Sequence, residues 1–363
     1  MASVVLVLPG RLDTRTGGTI YDRRIVEGLR QRGWRTDILE LDASFPYPTP
    51  ASLADAGTRL AAIPKGSIVV VDSLALGAMP DLIIREADRV AVVALVHQPL
   101  AAAAGLDPGT AAQFAEAERR ALGAAALVIV TGRAALDLLA PYAVPPIRIV
   151  VVEPGTDAAP LAHTSRVGRG TDRSEPEATR PLELLTVATV HPGKGHDVLL
   201  EALAALRTRS WHLTCAGSLT RHPPTAARLC EMVQRLGIQN RVSFAGDLDR
   251  LALAACYHQA DVFVLPTQQE TYGMAVAEAL ACGLPVVATM TGAIPELVGE
   301  AAGILVPVGD TPTLTDALAR VIDDAPLRSR LALGARRVRE RLPTWDDASE
   351  CMSDALRAVD AHG

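Results

Sequence analysis

Lysine is almost absent from this chain. Lys65 and Lys194 are the only two in 363 residues, and arginine carries the rest of the basic charge. Base composition produces scarcity of this kind, and it makes Lys194 conspicuous. Positive charge is lacking overall, with a formal net of -6 and a pI near 5.8, which argues against a general nucleic-acid binder. Cys215, Cys230, Cys256, Cys282 and Cys351 form no C-x-x-C pair and no zinc spacing. Their odd number and apolar settings predict reduced, buried thiols in a cytoplasmic protein. No run reaches the roughly eighteen apolar residues of a membrane helix. The opening MASVVLVLPG has no basic leader region and breaks at Pro9, so it reads as a first strand rather than a signal peptide.

What is present is an ordinary globular composition, 49% apolar and 21% charged, in a chain long enough for two domains. Short β-branched runs at Ser3–Leu8, Thr36–Leu41, Ser67–Asp72, Val90–Val96, Leu127–Thr131 and Arg148–Val152 alternate with Ala-rich helical stretches. The alternation predicts a parallel sheet with helices on both faces, with ligands at the carboxyl ends of its strands, where Asp72 and His97 stand. A helix is expected from Thr19 to Gly33, after a loop that contains Gly17 and Gly18. That loop is not G-x-G-x-x-G, so the dinucleotide fingerprint is missing. Residues Ala158 to Pro181 are polar and read as a loop or linker. A second parallel sheet starts at Leu182, with further strands at Trp211–Gly217 and Arg241–Gly246 and a helical, charged stretch from Thr311 to Leu342. Asp247-Leu248-Asp249 is a D-x-D that reads as a helix start rather than a metal site.

Asp261 to Gly299 is the most informative stretch. It reads as strand, loop, helix, strand, loop, helix, with Gly283 stopping the first helix. The amides of Tyr272, Gly273 and Met274 would point out of that helix's N-terminus and form an anion site. Glu270 and Glu278 frame it, about 12 Å apart if the segment is helical throughout. A ligand with hydroxyls at both ends and phosphates between them suits this arrangement. On residue type alone, Glu270 could equally be a helix cap and Glu278 a solvated helix residue.

Glu270, seven residues, Glu278, followed by A-C-G-L-P-V-V-A and G-A-I-P-E-L-V, resembles the E-x7-E signature of the family 4 retaining glycosyltransferases. R-T-G-G (Arg15 to Gly18) is similar to that family's double-glycine loop. His97 in L-V-H-Q-P matches its sugar-contacting histidine, and H-P-G-K-G matches its diphosphate-gripping segment, with Lys194 in place and Thr189 where the family has Arg. The resemblance implies an α/β GT-B fold, two doubly wound, Rossmann-like parallel-sheet domains facing a central cleft. Residues 1–157, joined by a returning helix in 343–363, would bind the acceptor, and residues 158–342 the nucleotide sugar. It implies a retaining hexosyltransferase that uses a nucleoside diphosphate sugar, UDP first and GDP second, and a small hydroxyl acceptor, without a metal or other cofactor. His97, Glu270 and Lys194 would be catalytic. Arg15, Gly17, Gly18, Thr189, Lys194, Thr271, Tyr272, Gly273, Met274 and Glu278 would bind the donor. Asp72 and Gln98 are acceptor-side candidates. No nucleic acid or transmembrane segment is expected, and the basic helix bearing Arg23, Arg24, Arg30 and Arg32 allows weak peripheral membrane contact. A GT-B-fold nucleotide-sugar epimerase and a non-catalytic nucleotide-binding module are the alternatives.

Overall fold

The computed structural model of the chain describes residues 2–163 and 180–360; most of the linker expected at Ala158 to Pro181 lies outside them. The chain divides into two compact units, Met1–Gly155 with Pro343–Gly363, and Thr156–Leu342. The first holds strands β1 (Ser3–Pro9), β2 (Arg35–Leu41), β3 (Ile68–Asp72), β4 (Ala91–Val96), β5 (Leu127–Val130) and β6 (Ile149–Val151), all parallel, in the order β2-β1-β3-β4-β5-β6. The order reverses between β1 and β3, which places the topological switch point there. Its helices are α1 (Gly17–Gln31), α2 (Pro50–Ala61), α3 (Ser73–Leu76), α4 (Pro80–Ala87), α5 (Pro108–Ala124) and α6 (Ala134–Leu139). Buried Val, Leu and Ile side chains from both faces of the strands form the core, as a doubly covered parallel sheet requires.

The second unit holds β7 (Leu182–Val187), β8 (Trp211–Ala216), β9 (Val242–Gly246), β10 (Val262–Leu265), β11 (Val286–Thr289) and β12 (Gly303–Val306) in the order β12-β11-β10-β7-β8-β9, again all parallel. The switch point lies between β7 and β10. Its helices are α7 (His196–Ala205), α8 (Pro223–Arg235), α9 (Arg250–Gln259), α10 (Met274–Ala281), α11 (Ile294–Val298), α12 (Thr311–Asp323) and α13 (Ala325–Arg339). The charged stretch at the end is therefore two helices. Asp324 ends α12 and caps α13, accepting from the Leu327 amide at 2.8 Å, with Pro326 in the new first turn.

A last helix, α14 (Trp345–Asp360), belongs to the first unit and packs along α1. The contact leaves no room at Gly28, where a Cβ would stand 1.9 Å from Ser349 Oγ. Trp34 Nε1 donates to Ser353 Oγ at 2.9 Å, and Arg32 pairs with Asp346 at 2.6 Å. Arg24 lies over the Trp345 ring and Arg30 bonds to Thr36, so three of the four arginines of the supposed basic face have partners inside the unit. Among the described residues no helix is long and apolar enough to cross a membrane. Cys215 and Cys282 are buried and Cys256 partly so, but Cys230 and Cys351 are exposed, against the expectation of buried thiols throughout. Both lie on helices, where one face meets water.

Candidate functional site

In the second unit, the side chains singled out from the sequence gather at the switch point. Lys194 ends a single 3₁₀ turn (Pro192–Lys194) that follows β7, and Glu270 lies in the loop that follows β10. Lys194 Nζ meets Glu270 Oε2 at 2.8 Å, with both side chains partly exposed. The Glu270 loop is held from three sides. Gln268 N and Thr267 Oγ1 donate to Gly193 O at 2.8 and 3.2 Å, and Thr289 and Thr291 donate hydroxyls to Thr267 O and Gln268 O. Gly292, at φ +54, would put a Cβ 1.4 Å from Glu270 O, so only glycine lets the next loop close over it.

Gly273 takes φ +98 and is the N-cap of α10, which starts at Met274. The segment from Glu270 is therefore not helical throughout, and the 12 Å spacing expected for Glu270 and Glu278 does not apply. Among the described residues no side chain caps α10, leaving its first amides without a side-chain acceptor there. Thr271, Tyr272 and Gly273 are buried at this end, with Met274 and Thr189 half-buried. Glu278 lies one turn inside α10, and Tyr257 of α9 donates its hydroxyl to Glu278 Oε2 at 2.8 Å. Tyr257 also stacks on Phe263, and burial, then the Glu278 charge, holds its hydroxyl protonated. Glu278 is thus an oriented group rather than a solvated one. His196, two residues past Lys194, is buried with neither ring nitrogen bonded among the described residues, and burial lowers its pKa to about 4, so it adds no charge there at neutral pH. Asp249 of the D-x-D caps α9, accepting from Ala252 N at 2.9 Å.

The first unit brings together a second group. Thr16 and Thr19 form a capping box, so α1 begins at Gly17 and the two glycines are its first turn rather than a preceding loop. Arg15 and Gly17 are exposed. One turn on, α1 buries Asp22. His97, just beyond β4, places Nε2 3.1 Å from Asp22 Oδ1 and 3.4 Å from Asp72 Oδ2. Its ring meets Tyr21 edge-on, and a Cβ at Gly18 would stand 3.3 Å from its Cδ2. Asp72 also caps α3, accepting from Leu74 N at 2.7 Å, and Gln98 donates to Ala102 O at 3.0 Å. Burial disfavours the imidazolium, but Asp22 and then Asp72 outweigh it, and the His97 pKa is pushed up to about 10. Burial pushes the Asp22 carboxyl up against the pull of His97. A positive ring between two carboxylates is the state this geometry favours. The same three side chains bring donor atoms within 4.8 Å of one another, which is also what a cation would need.

Neither Asp22 nor Tyr257 stood out in the sequence. Each is paired with a residue outside its own helix, and no local sequence pattern marks the pair.

The solved structures place the architecture. Sucrose-phosphate synthase from Thermosynechococcus elongatus superposes with a TM-score of 0.82 at 20% identity, covering 100% of both chains. Anabaena HepE in complex with UDP and glucose does so with a TM-score of 0.75 at 17% identity, over 98% of this chain and 99% of that one. The fold is GT-B, two Rossmann-like units each built on a six-stranded parallel sheet. Residues 169–338 match the family model described as glycosyl transferases group 1. A curated relative, D-inositol 3-phosphate glycosyltransferase of Salinispora tropica, is 34% identical over 276 residues, 72% of this chain and 56% of the relative. The enzyme of the same name from Xylanimonas cellulosilytica is 35% identical over 237 residues, 63% of this chain and 56% of the relative. The chain thus spans little more than half the length of the curated relatives it matches.

Proposed function

We propose that the protein transfers a hexose from a nucleoside diphosphate sugar, UDP-linked before GDP-linked, to a hydroxyl of a small acceptor, with retention at the anomeric carbon. The observation that carries this reading is the convergence of Lys194, Glu270 and the uncapped N-terminus of α10 at the switch point of the second sheet. Cation and amides suit a diphosphate, and the carboxylate suits sugar hydroxyls. The similarity to relatives named as D-inositol 3-phosphate glycosyltransferases supports a small polyol-like acceptor.

Lys194 and the α10 amides meet the charge that grows on the leaving diphosphate. Glu270 holds the sugar hydroxyls, and Glu278 holds the ribose. The bond from the anomeric carbon to the phosphate oxygen breaks as the bond to the acceptor oxygen forms on the same face, and the acceptor proton passes to the leaving phosphate. No metal is needed for this charge balance.

Thermal unfolding with UDP, GDP, ADP and NAD, each with and without EDTA, tests the donor class. A ligand at a hundred times its Kd adds about 2.7 kcal/mol, which is several degrees for units of this size. The expected result is a shift with one nucleoside diphosphate that EDTA leaves unchanged. No shift with any of them would favour a module that no longer binds nucleotide.

Tyr257→Phe tests the Glu278 assignment. The variant keeps the buried ring but loses its hydrogen bond to a charged acceptor, which costs about 1.5–3 kcal/mol. Calorimetry should show nucleoside diphosphate binding weakened about ten-fold with the fold intact. Unchanged affinity would remove the ribose role from Glu278.

A further inference from the structure

We propose that Asp22 is the positioning residue of the first unit, holding His97 as an imidazolium whose Nε2–H is committed to carboxylates, so that the histidine serves the substrate as a fixed cation and Nδ1–H donor rather than as a base. The assignment relies on the transferase reading for what His97 serves, and on the first unit alone for how it is held.

The geometry is specific. Asp22 is 1% exposed, on a helix whose other buried residues are mostly apolar, and its Oδ1 is 3.1 Å from His97 Nε2. Its Oδ2 is buried with no hydrogen-bond partner among the described residues. A half-satisfied buried carboxylate costs stability, so packing does not account for it. Asp72, the second carboxylate on Nε2, has its other oxygen occupied by the Leu74 amide. Nε2 faces this pair, and Nδ1 is the ring nitrogen left over.

The neighbouring groups do not change the balance. Tyr21 of α1 donates its hydroxyl to Val152 O at 2.9 Å, and burial raises its pKa far above neutrality. From α14, Trp345 meets Tyr21 edge-on, and Cys351 interacts with it. Glu118 of α5 is engaged by the amides of Leu100 and Ala101 and by the Tyr142 hydroxyl. Asp22 and Asp72 are therefore the charges that govern His97. Raised from an ordinary value near 6.5 to about 10, the His97 pKa contributes stability that is fully present below about pH 6.5 and lost as pH rises through about 10.

The test is carbon NMR of the full chain with ¹³Cε1-labelled histidine. His97 is identified among the eight histidines by its loss in His97→Gln. In the wild type, its resonance should stay in the protonated position from pH 6 to pH 9. In Asp22→Asn the titration midpoint should fall by about 1–3 pH units, and the unfolding temperature at neutral pH should fall with it, because part of the stability that the raised His97 pKa contributes is lost. Asp22→Glu, which keeps the carboxylate, should retain more of the protonated signal than Asn. A wild-type His97 that titrates near pH 6.5, or an Asn variant with the wild-type titration, overturns the proposal. So does stoichiometric perturbation of the resonance by added zinc that Asp22→Asn abolishes, since the cluster would then be a cation site. These readouts hold whether or not glycosyl transfer is the activity. Where transfer is measured, Asp22→Asn should lose rate on the alkaline side while nucleoside diphosphate affinity stays the same.

Discussion

Replacing Lys194 with methionine should reduce transfer about a hundred- to thousand-fold, the range seen when one preorganised donor to a developing charge is removed. Methionine keeps much of the length and apolar stem of the side chain and removes only the ammonium. Because Lys194 is one of two lysines in the chain, no neighbouring lysine can take over, and the position where the family has Arg is Thr189. Affinity for the nucleoside diphosphate should fall about ten-fold or more, in keeping with a lost charge-assisted hydrogen bond. Steady-state kinetics and calorimetry on the same preparation would separate the two effects. A variant that keeps its rate would show that Lys194 serves only its ion pair with Glu270.

Glu270→Gln should have an equally large effect on transfer and the opposite effect on the nucleotide. Without ligand, Glu270 holds the Lys194 ammonium at 2.8 Å, so a diphosphate must take Lys194 from it. The pair is partly exposed, and such pairs contribute about 1 kcal/mol or less. Freeing the lysine should therefore tighten binding of the nucleoside diphosphate without its sugar by a few fold. The intact donor should lose the carboxylate that receives its hydroxyls, and transfer should fall at least a hundred-fold. Weaker binding of the free diphosphate would mean that Glu270 mainly supports the loop closed by Gly292, and the exchange of partners would be wrong.

The sequence showed the fold where each element declares itself locally. Val, Ile and Leu runs bounded by Gly and Pro marked the strands, and Asp261 to Gly299 showed a strand, helix and strand with its two glutamates in order. The departures have local causes as well. Thr16 caps α1 so that it starts at Gly17, two residues before the expected Thr19, Gly273 keeps Glu270 out of α10, and Asp324 with Pro326 divides what reads as one charged helix. What could not be read was pairing across the chain. Asp22 meets a histidine 75 positions away and Tyr257 a glutamate 21 positions away, and nothing in either neighbourhood names its partner. Burial of a polar residue is the signal, and it exists only once the chain has folded.

The docking of α14 on α1 bears on the order in which the chain can mature. The second unit, Thr156–Leu342, lies wholly between the two segments of the first. A ribosome therefore delivers every residue of the second unit before it makes Ser349 and Ser353, which cover Gly28 and Trp34. Domains fold as units during synthesis, so the unit that begins first is the one that finishes last. Until then the helix that carries Asp22 has an uncovered face.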